Sequence, residues 1–176
     1  MRQLLLLRHA KSSWDDGDLH DRDRPLNNRG RRSAARIRRA MRDGGLAPDL
    51  VLVSSAKRTL QTLEALEPWD DAPLVEPMDS LYLASATQLL DIVRAVADTV
   101  RSVLVIAHNP GMHDLALALA APPTTPAERA AARSLADGFP TCALAEFTVP
   151  SPWSSLNPGG ARLVRLLTPR GLEASD

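Results

Sequence analysis

The chain has 176 residues, a length that suits one domain and is too short for two. Apolar residues make up 44% and charged residues 24% of the sequence, which excludes a disordered chain. The 21 basic residues balance 21 acidic ones, so we expect neither nucleic acid nor a membrane as a partner. Cys142 is the single cysteine, which excludes an internal disulfide and favours a small buried residue.

The first apolar run, residues 4–7, is followed at once by Arg8. It is shorter than the roughly 7–15 apolar residues of an export signal. No later apolar stretch approaches the ~20 residues that span a bilayer. We therefore expect a cytoplasmic protein.

Apolar patterning predicts alternating strands and helices. Strands are expected at residues 4–7, 49–53, 74–75, 102–106, 142–149 and 162–167, of which the last two alternate as strands near a sheet edge do. Helices are expected at 28–42, 57–66, 87–100, 110–121 and 125–135. This order predicts a three-layer α/β/α fold with a mostly parallel central sheet. Residues 1–170 would form the domain, without a large inserted subdomain, and residues 171–176 a frayed tail.

Reactive side chains follow three of the predicted strands. Arg8 and His9 come after the first, Arg58 shortly after the second, and His108 after the strand at 102–106. Ligands of open α/β sheets bind beyond the carboxyl ends of the strands, so neighbouring strands would bring these residues together. A cationic pocket in a neutral protein indicates an anion, and guanidinium groups match the oxygens of a phosphoryl group.

Histidine within such a pocket can attack phosphorus and form a covalent phosphoenzyme that water then hydrolyses. A second histidine can stabilise charge on the transferring oxygens. Because the arginines already neutralise that charge, the pattern requires neither a metal nor another cofactor.

Five motifs carry a resemblance to a known family. They are Arg8 to Trp14, Asp23 to Leu26 with Gly30, Ser54 to Thr62, Leu81-Tyr82, and His108 to Gly111. In this order they resemble the histidine phosphatase superfamily, and within it the small SixA-type phosphohistidine phosphatases. The resemblance implies a phosphoglycerate-mutase-like fold and phosphatase activity.

The resemblance also implies roles for individual residues. His9 would be the phosphorylated nucleophile, and Arg8, Arg58 and His108 would bind and stabilise the phosphoryl group. Substrate-binding positions are implied at Arg24, Ser12 and Asn109.

One departure from the larger relatives bears on the substrate. Phosphoglycerate mutases place a glutamate between the second arginine and the second histidine, whereas residues 79–84 here contain none. An alcohol leaving group needs a general acid, while the imidazole of phosphohistidine can depart without one. The sequence therefore favours phosphohistidine on a protein, with Asp21 or Asp23 as a possible general acid if their loop covers the pocket.

Several alternatives stay open. The protein could be a phosphomonoesterase of small phosphorylated substrates, or a phosphate-binding module without activity. The arginine-rich helix at 29–42 is expected to be a solvated face, with docking of an acidic protein as the alternative. Trp14 could line the pocket or simply pack.

Overall fold

The computed structural model describes residues 1–175. The strands are β1 Arg2–Arg8, β2 Leu50–Ser54, β3 Leu74–Met78, β4 Ser102–Ala107, β5 Leu144–Val149 and β6 Arg162–Leu167. The helices are α1 Asn28–Asp43, α2 Lys57–Leu66, α3 Ala86–Arg94, α4 Gly111–Leu119, α5 Pro126–Asp137 and α6 Pro169–Glu173. Short 3-10 turns lie at Asp21–Asp23, Asp79–Leu81 and Trp153–Ser155. Within the described chain no helix is long and apolar enough to cross a membrane.

The six strands form one sheet in the order β3-β2-β4-β1-β5-β6. β1 to β4 are mutually parallel, while β5 runs antiparallel to both β1 and β6. The predicted mostly parallel sheet is confirmed, with β6 at an edge and β5 next to it.

The unbroken apolar run in β1 reflects burial on both sides of the sheet. Leu4 and Leu6 pack with α3, α4 and α5, whereas Leu5 and Leu7 pack with α1, α2 and α6. All four side chains are fully buried. Helices therefore cover both faces, which confirms the three-layer architecture.

One helix ends earlier, and one strand begins later, than the sequence predicts. The helix predicted at 87–100 stops at Arg94, because the Asp98 carboxylate accepts a hydrogen bond from the Trp153 amide and pairs with Arg2. The strand predicted at 142–149 begins at Leu144, since Cys142 has a φ of 63° and cannot continue a strand. The Cys142 side chain is buried as predicted.

The predicted frayed tail begins inside α6. Leu172 packs against the core, and Glu173 pairs with Arg36 at 2.6 Å. The hydroxyl of Thr168 accepts a hydrogen bond from the Gly171 amide and so caps the helix. These contacts hold residues 171–173 within α6; Asp176 lies outside the described residues.

β1 and β4 are neighbours whose outgoing connections run to opposite sides of the sheet. β1 leads through α1 to β2, and β4 leads through α4 and α5 to β5. Such a switch point opens a crevice at the carboxyl ends of the two strands. Both strands end there in register, with Arg8 opposite Ala107, so the residues that follow them line the crevice.

Gly111 starts α4 against the loop that follows β3. A Cβ at this position would lie 1.9 Å from the carbonyl oxygen of Ala84, a backbone atom that cannot swing aside. We expect Gly111→Ala to lower the free energy of unfolding by about 1–3 kcal/mol or more, measured by urea denaturation. Gly17→Ala is the control, because a Cβ there meets nothing within 4 Å. Equal stability of the two variants would contradict the close approach.

Candidate active site

His9 directly follows β1, and one of its ring nitrogens is tied to the backbone. Its Nδ1 lies 2.7 Å from the carbonyl oxygen of Ala10. Because a carbonyl only accepts hydrogen bonds, Nδ1 carries the proton and Nε2 keeps its lone pair. The backbone is fixed as well, since the amides of His9 and Ala10 donate to Ala107 and to the Thr62 hydroxyl. The ring therefore presents an unprotonated Nε2.

His108 follows β4 and stands beside His9, with the ring centroids 5.3 Å apart. Its Nε2 lies 2.7 Å from the Ser54 hydroxyl, and its Nδ1 lies 3.3 Å from Nη2 of Arg58. A guanidinium only donates, so Nδ1 accepts and Nε2 donates to Ser54. Since a hydroxyl also donates, Ser54 can support the other tautomer, in which Nδ1 would donate to an oxyanion. Sequence reasoning did not single out Ser54 for this role.

Three arginines act electrostatically on His9, namely Arg8, Arg24 and Arg58. The side chains of Arg24 and Arg58 are buried. Within residues 1–175, the buried Nε–H groups of Arg8 and Arg58 have no acceptor. A buried unsatisfied donor costs about 1–3 kcal/mol, so the protein's own acceptors do not saturate these cations. Burial and the neighbouring Arg58 also lower the pKa of Arg8. The arrangement suits an anionic ligand.

In this structure the carboxylate of Asp21 binds Arg58. Nη2 of Arg58 donates to Oδ2 of Asp21 at 2.9 Å, and the Tyr82 hydroxyl donates to the same oxygen. Nε of Arg24 donates to Oδ1 at 3.2 Å. Partial burial raises the pKa of Asp21, but the hydrogen bonds from Tyr82 and Arg58 and the arginine charges outweigh it and lower the pKa to about 2.

A carboxyl group with so low a pKa is ionised at neutral pH and has no proton to give. The general-acid role predicted for Asp21 therefore does not fit this arrangement. Asp23, the other predicted acid, is exposed, and its carboxylate makes no hydrogen bond or ion pair within the described residues.

The loop 13–24 is fastened over the pocket by residues that sequence reasoning missed. Arg22 pairs with Asp79 at 2.7 Å, and both hydrogen-bond the Ser55 hydroxyl. The guanidinium of Arg22 also lies 4.8 Å from the ring centroid of Tyr82. Asp79 and Tyr82 follow β3, which ends at the same edge as β2, and that position was the available signal for Asp79. Tyr82 belongs to the Leu81-Tyr82 motif, for which the sequence predicted no role in the site.

The remaining predicted substrate-binding residues have different environments. Ser12 is buried, and its hydroxyl makes no hydrogen bond within residues 1–175. The amide of Asn109 donates to the Phe139 carbonyl at 2.8 Å while its oxygen accepts from an amide of α4, so this side chain is already engaged. Trp14 is 71% exposed and stacks on Arg24, whose guanidinium lies 3.4 Å from a ring centroid.

Both pocket histidines are held neutral. Burial, followed by the charges of Arg58 and its neighbours, lowers the pKa of His9 to about 4 and that of His108 to about 3. Histidine in an unfolded chain titrates near 6.5, so between that value and about 4 the unfolded state binds more protons than the folded state. The free energy of unfolding must therefore fall as pH decreases through this window.

We expect His9→Asn to lessen this acid sensitivity. Between about pH 7.5 and about pH 5 the wild-type protein should lose roughly 2 kcal/mol more free energy of unfolding than the variant. Urea denaturation at both pH values measures the difference. Identical losses in the two proteins would show that His9 is not held neutral.

Comparison with known proteins agrees with this geometry. A model of the histidine phosphatase superfamily (branch 1) matches residues 4–79. An uncharacterized protein of Mycobacterium tuberculosis is 37% identical over 164 residues, which cover 93% of this chain and 100% of that protein. A candidate phosphohistidine phosphatase SixA from Nakamurella multipartitia is 30% identical and covers 96% of both chains, with a TM-score of 0.81. The chain belongs to the histidine phosphatase superfamily.

The fold is also similar to that of a protein histidine phosphatase SixA complexed with tungstate. That structure is 24% identical and covers 97% of this chain and 99% of its own, with a TM-score of 0.76. Family membership and the cationic pocket together support phosphatase activity. Within residues 1–175 no three His, Cys, Asp or Glu side chains are grouped so that they could hold a metal ion.

Proposed function

We propose that this histidine phosphatase hydrolyses phosphohistidine on proteins without a metal, through a covalent intermediate on His9. Nε2 of His9 would attack phosphorus as the phosphorus–nitrogen bond of the substrate breaks, and the leaving imidazole would take its proton from solvent. Water would then attack phospho-His9, releasing inorganic phosphate and restoring the free ring.

The observation that carries the proposal is the hydrogen bond between His9 Nδ1 and the Ala10 carbonyl. This hydrogen bond keeps the lone pair of Nε2 free to attack phosphorus. A pocket that only binds phosphate would not need a histidine with a free lone pair. Arg8 and Arg58 would hold the phosphoryl oxygens, and His108 would donate to one of them from Nδ1, with Ser54 supporting that tautomer. Arg24 and Ser12 would add contacts at the edge of the phosphoryl group. A tungstate ion bound to a SixA protein is a tetrahedral oxyanion of the same kind.

The preference for a phosphorus–nitrogen bond rests on the lack of a protonated acid beside His9. While Tyr82 and Arg58 hold it, Asp21 has a pKa of about 2 and is a carboxylate at neutral pH. An alkoxide leaves slowly without a proton, whereas the imidazole of phosphohistidine is a far better leaving group.

The surroundings of the pocket favour a substrate carried by a protein. Between α2 and β4 the chain inserts only β3, a short turn and the nine-residue α3, so no subdomain covers the crevice. Trp14, Leu19 and Leu83 are exposed large apolar side chains in the loops on both sides of the pocket. Exposed apolar surface near a site is typical of contact with another protein.

Turnover of a phosphoramidate and of an alkyl phosphate tests this preference. We expect the phosphoramidate to be hydrolysed with the higher kcat/KM, and Asp21→Asn to leave the ratio of the two rates unchanged. A strong preference for the alkyl ester, lost in Asp21→Asn, would show instead a phosphomonoesterase with Asp21 as its acid. Asp23→Asn is the matched control, since it removes a neighbouring exposed carboxylate.

Phosphorylated carrier proteins provide the second part of the test. The wild-type protein should release phosphate from a phosphohistidine-bearing carrier and become labelled on His9 during turnover, as mass spectrometry of rapidly quenched samples would detect. A protein that binds phosphate but neither turns over nor becomes labelled would be a phosphate-binding module.

A further inference from the structure

The surface of α1 carries charge that the phosphatase site does not use. The helix contains seven arginines and one acidic residue, Asp43, in a protein with no net charge. The arginines are Arg29, Arg31, Arg32, Arg36, Arg38, Arg39 and Arg42. Like charges three and four residues apart destabilise a helix. A concentration of this kind lowers its own repulsion when an acidic partner covers it.

Four of these arginines form one stripe beside α6. Arg29, Arg32 and Arg36 line a groove of about 320 Å³ whose other wall includes Pro169 and Arg170. The groove continues into a recess of about 100 Å³ lined by Arg36, Arg39, Leu172 and Ser175. Two acidic side chains line these walls: Glu173, which is already paired with Arg36, and the exposed Asp43 at the far end of the recess. Within residues 1–175, Arg29, Arg32 and Arg39 form no ion pair.

The groove begins next to the phosphatase pocket. The amide of Asn27, which caps α1, donates to the carbonyl oxygen of Lys11, two residues after His9. At the start of the opposite wall, Thr168 caps α6 and lines the same cleft as Arg8. The start of the groove is therefore within reach of a partner whose phosphorylated side chain enters the pocket.

We propose that the groove between α1 and α6 docks an acidic segment of the phosphorylated protein substrate. This inference rests on the proposed function. The stripe from Arg29 to Arg39 spans about 15 Å of helix, which an extended segment of about five residues matches. An acidic protein segment suits the groove better than nucleic acid does, because neither wall carries an aromatic side chain on which bases could stack.

Synthetic peptides test the docking. Each carries one phosphohistidine joined by a flexible spacer to a block of glutamates or, in the matched peptide, of glutamines. An exposed ion pair changes affinity about two- to fivefold, so at low salt we expect kcat/KM for the glutamate peptide to be higher by about tenfold. Salt should remove the difference, because it screens exposed charges. A peptide with no preference for glutamate would overturn the proposal.

Two charge-reversal variants locate the effect. Arg29→Glu with Arg32→Glu changes the groove, whereas Arg31→Glu with Arg42→Glu makes the same charge change on the other side of α1. All four side chains are exposed, and α1 keeps Arg36 in both variants. We expect the groove variant to lose the preference and the control to keep it, with phosphoramidate turnover unchanged in both. Equal losses would indicate a general charge effect and contradict a groove.

Binding of the unphosphorylated glutamate peptide, followed by fluorescence anisotropy, separates failure of docking from failure of the phosphatase proposal. If the wild-type protein does not hydrolyse phosphoramidate but still binds this peptide through the groove, the proposed activity is wrong and the acidic docking surface stands. Tighter binding of single-stranded DNA or of anionic vesicles, lost in the groove variant, would identify the groove as a site for those ligands and refute the proposal.

Discussion

Replacing His9 with alanine should abolish turnover while leaving anion binding largely intact. We expect a fall in kcat of about 10⁴-fold or more, because no other group in the pocket presents a free lone pair in the position of Nε2. The arginines supply most of the attraction for an oxyanion, so the Kd for tungstate should change by less than about tenfold. Steady-state kinetics and calorimetric titration with tungstate measure the two effects.

His20→Ala is the matched control for this variant, because His20 is an exposed histidine in the loop 13–24 and has no part in the proposed chemistry. It should keep wild-type turnover. Loss of tungstate binding with turnover preserved in His9→Ala would reverse the roles assigned to histidine and arginine. Phosphate labelling of the variant at another residue would also contradict them.

Arg58→Ala has the second-largest expected effect. Arg58 is buried and contacts both His108 and the Asp21 backbone and carboxylate. In the proposed mechanism its loss would remove a fixed cation from the transferring oxygens. Cations of this kind contribute about 10³-fold or more to phosphoryl transfer, and we expect kcat/KM to fall by about that factor. Arg58→Lys should recover only part of the loss, since it restores the charge and not the planar fork.

Whether Arg58→Ala lowers kcat or raises KM shows at which stage of the reaction Arg58 acts. A fall confined to kcat/KM through a higher KM would mean that Arg58 binds ground state and transition state equally. Arg22→Ala is the comparison variant. Both guanidinium groups lie near the Tyr82 ring, Arg58 at 5.9 Å and Arg22 at 4.8 Å from its centroid, but Arg22 is partly exposed and binds Asp79 and Ser55. It should have a much smaller effect, and equal losses would argue that both variants act by releasing the loop.

The parts of the site that follow strands could be predicted from the sequence. Buried parallel strands can be recognised as apolar runs in the sequence, and their carboxyl ends lie at one edge of the sheet. That rule brings His9 and His108 together on the condition that β1 and β4 are neighbours, which the structure shows and the apolar pattern does not.

The features that could not be predicted depend on which partners individual side chains bind in irregular segments. Nothing in the pattern of loop 13–24 indicates that Asp21 binds Arg58. The sequence after β4 likewise does not indicate that the Asn109 side chain donates to the Phe139 carbonyl. The early end of α3 depends on Asp98 reaching residues distant in sequence. Local periodicity carries no information about such long-range hydrogen bonds.

The Asp21 carboxylate competes with other anions for Arg58. An anion that binds Nη2 of Arg58 must displace a carboxylate that Arg58, Arg24 and Tyr82 already hold. A doubly charged phosphoryl group gains more from these cations than a single carboxylate does, whereas chloride or a simple organic acid gains no more. This competition should weaken the binding of monovalent anions, and in the proposed cycle the return of Asp21 to Arg58 would oppose rebinding of the released phosphate.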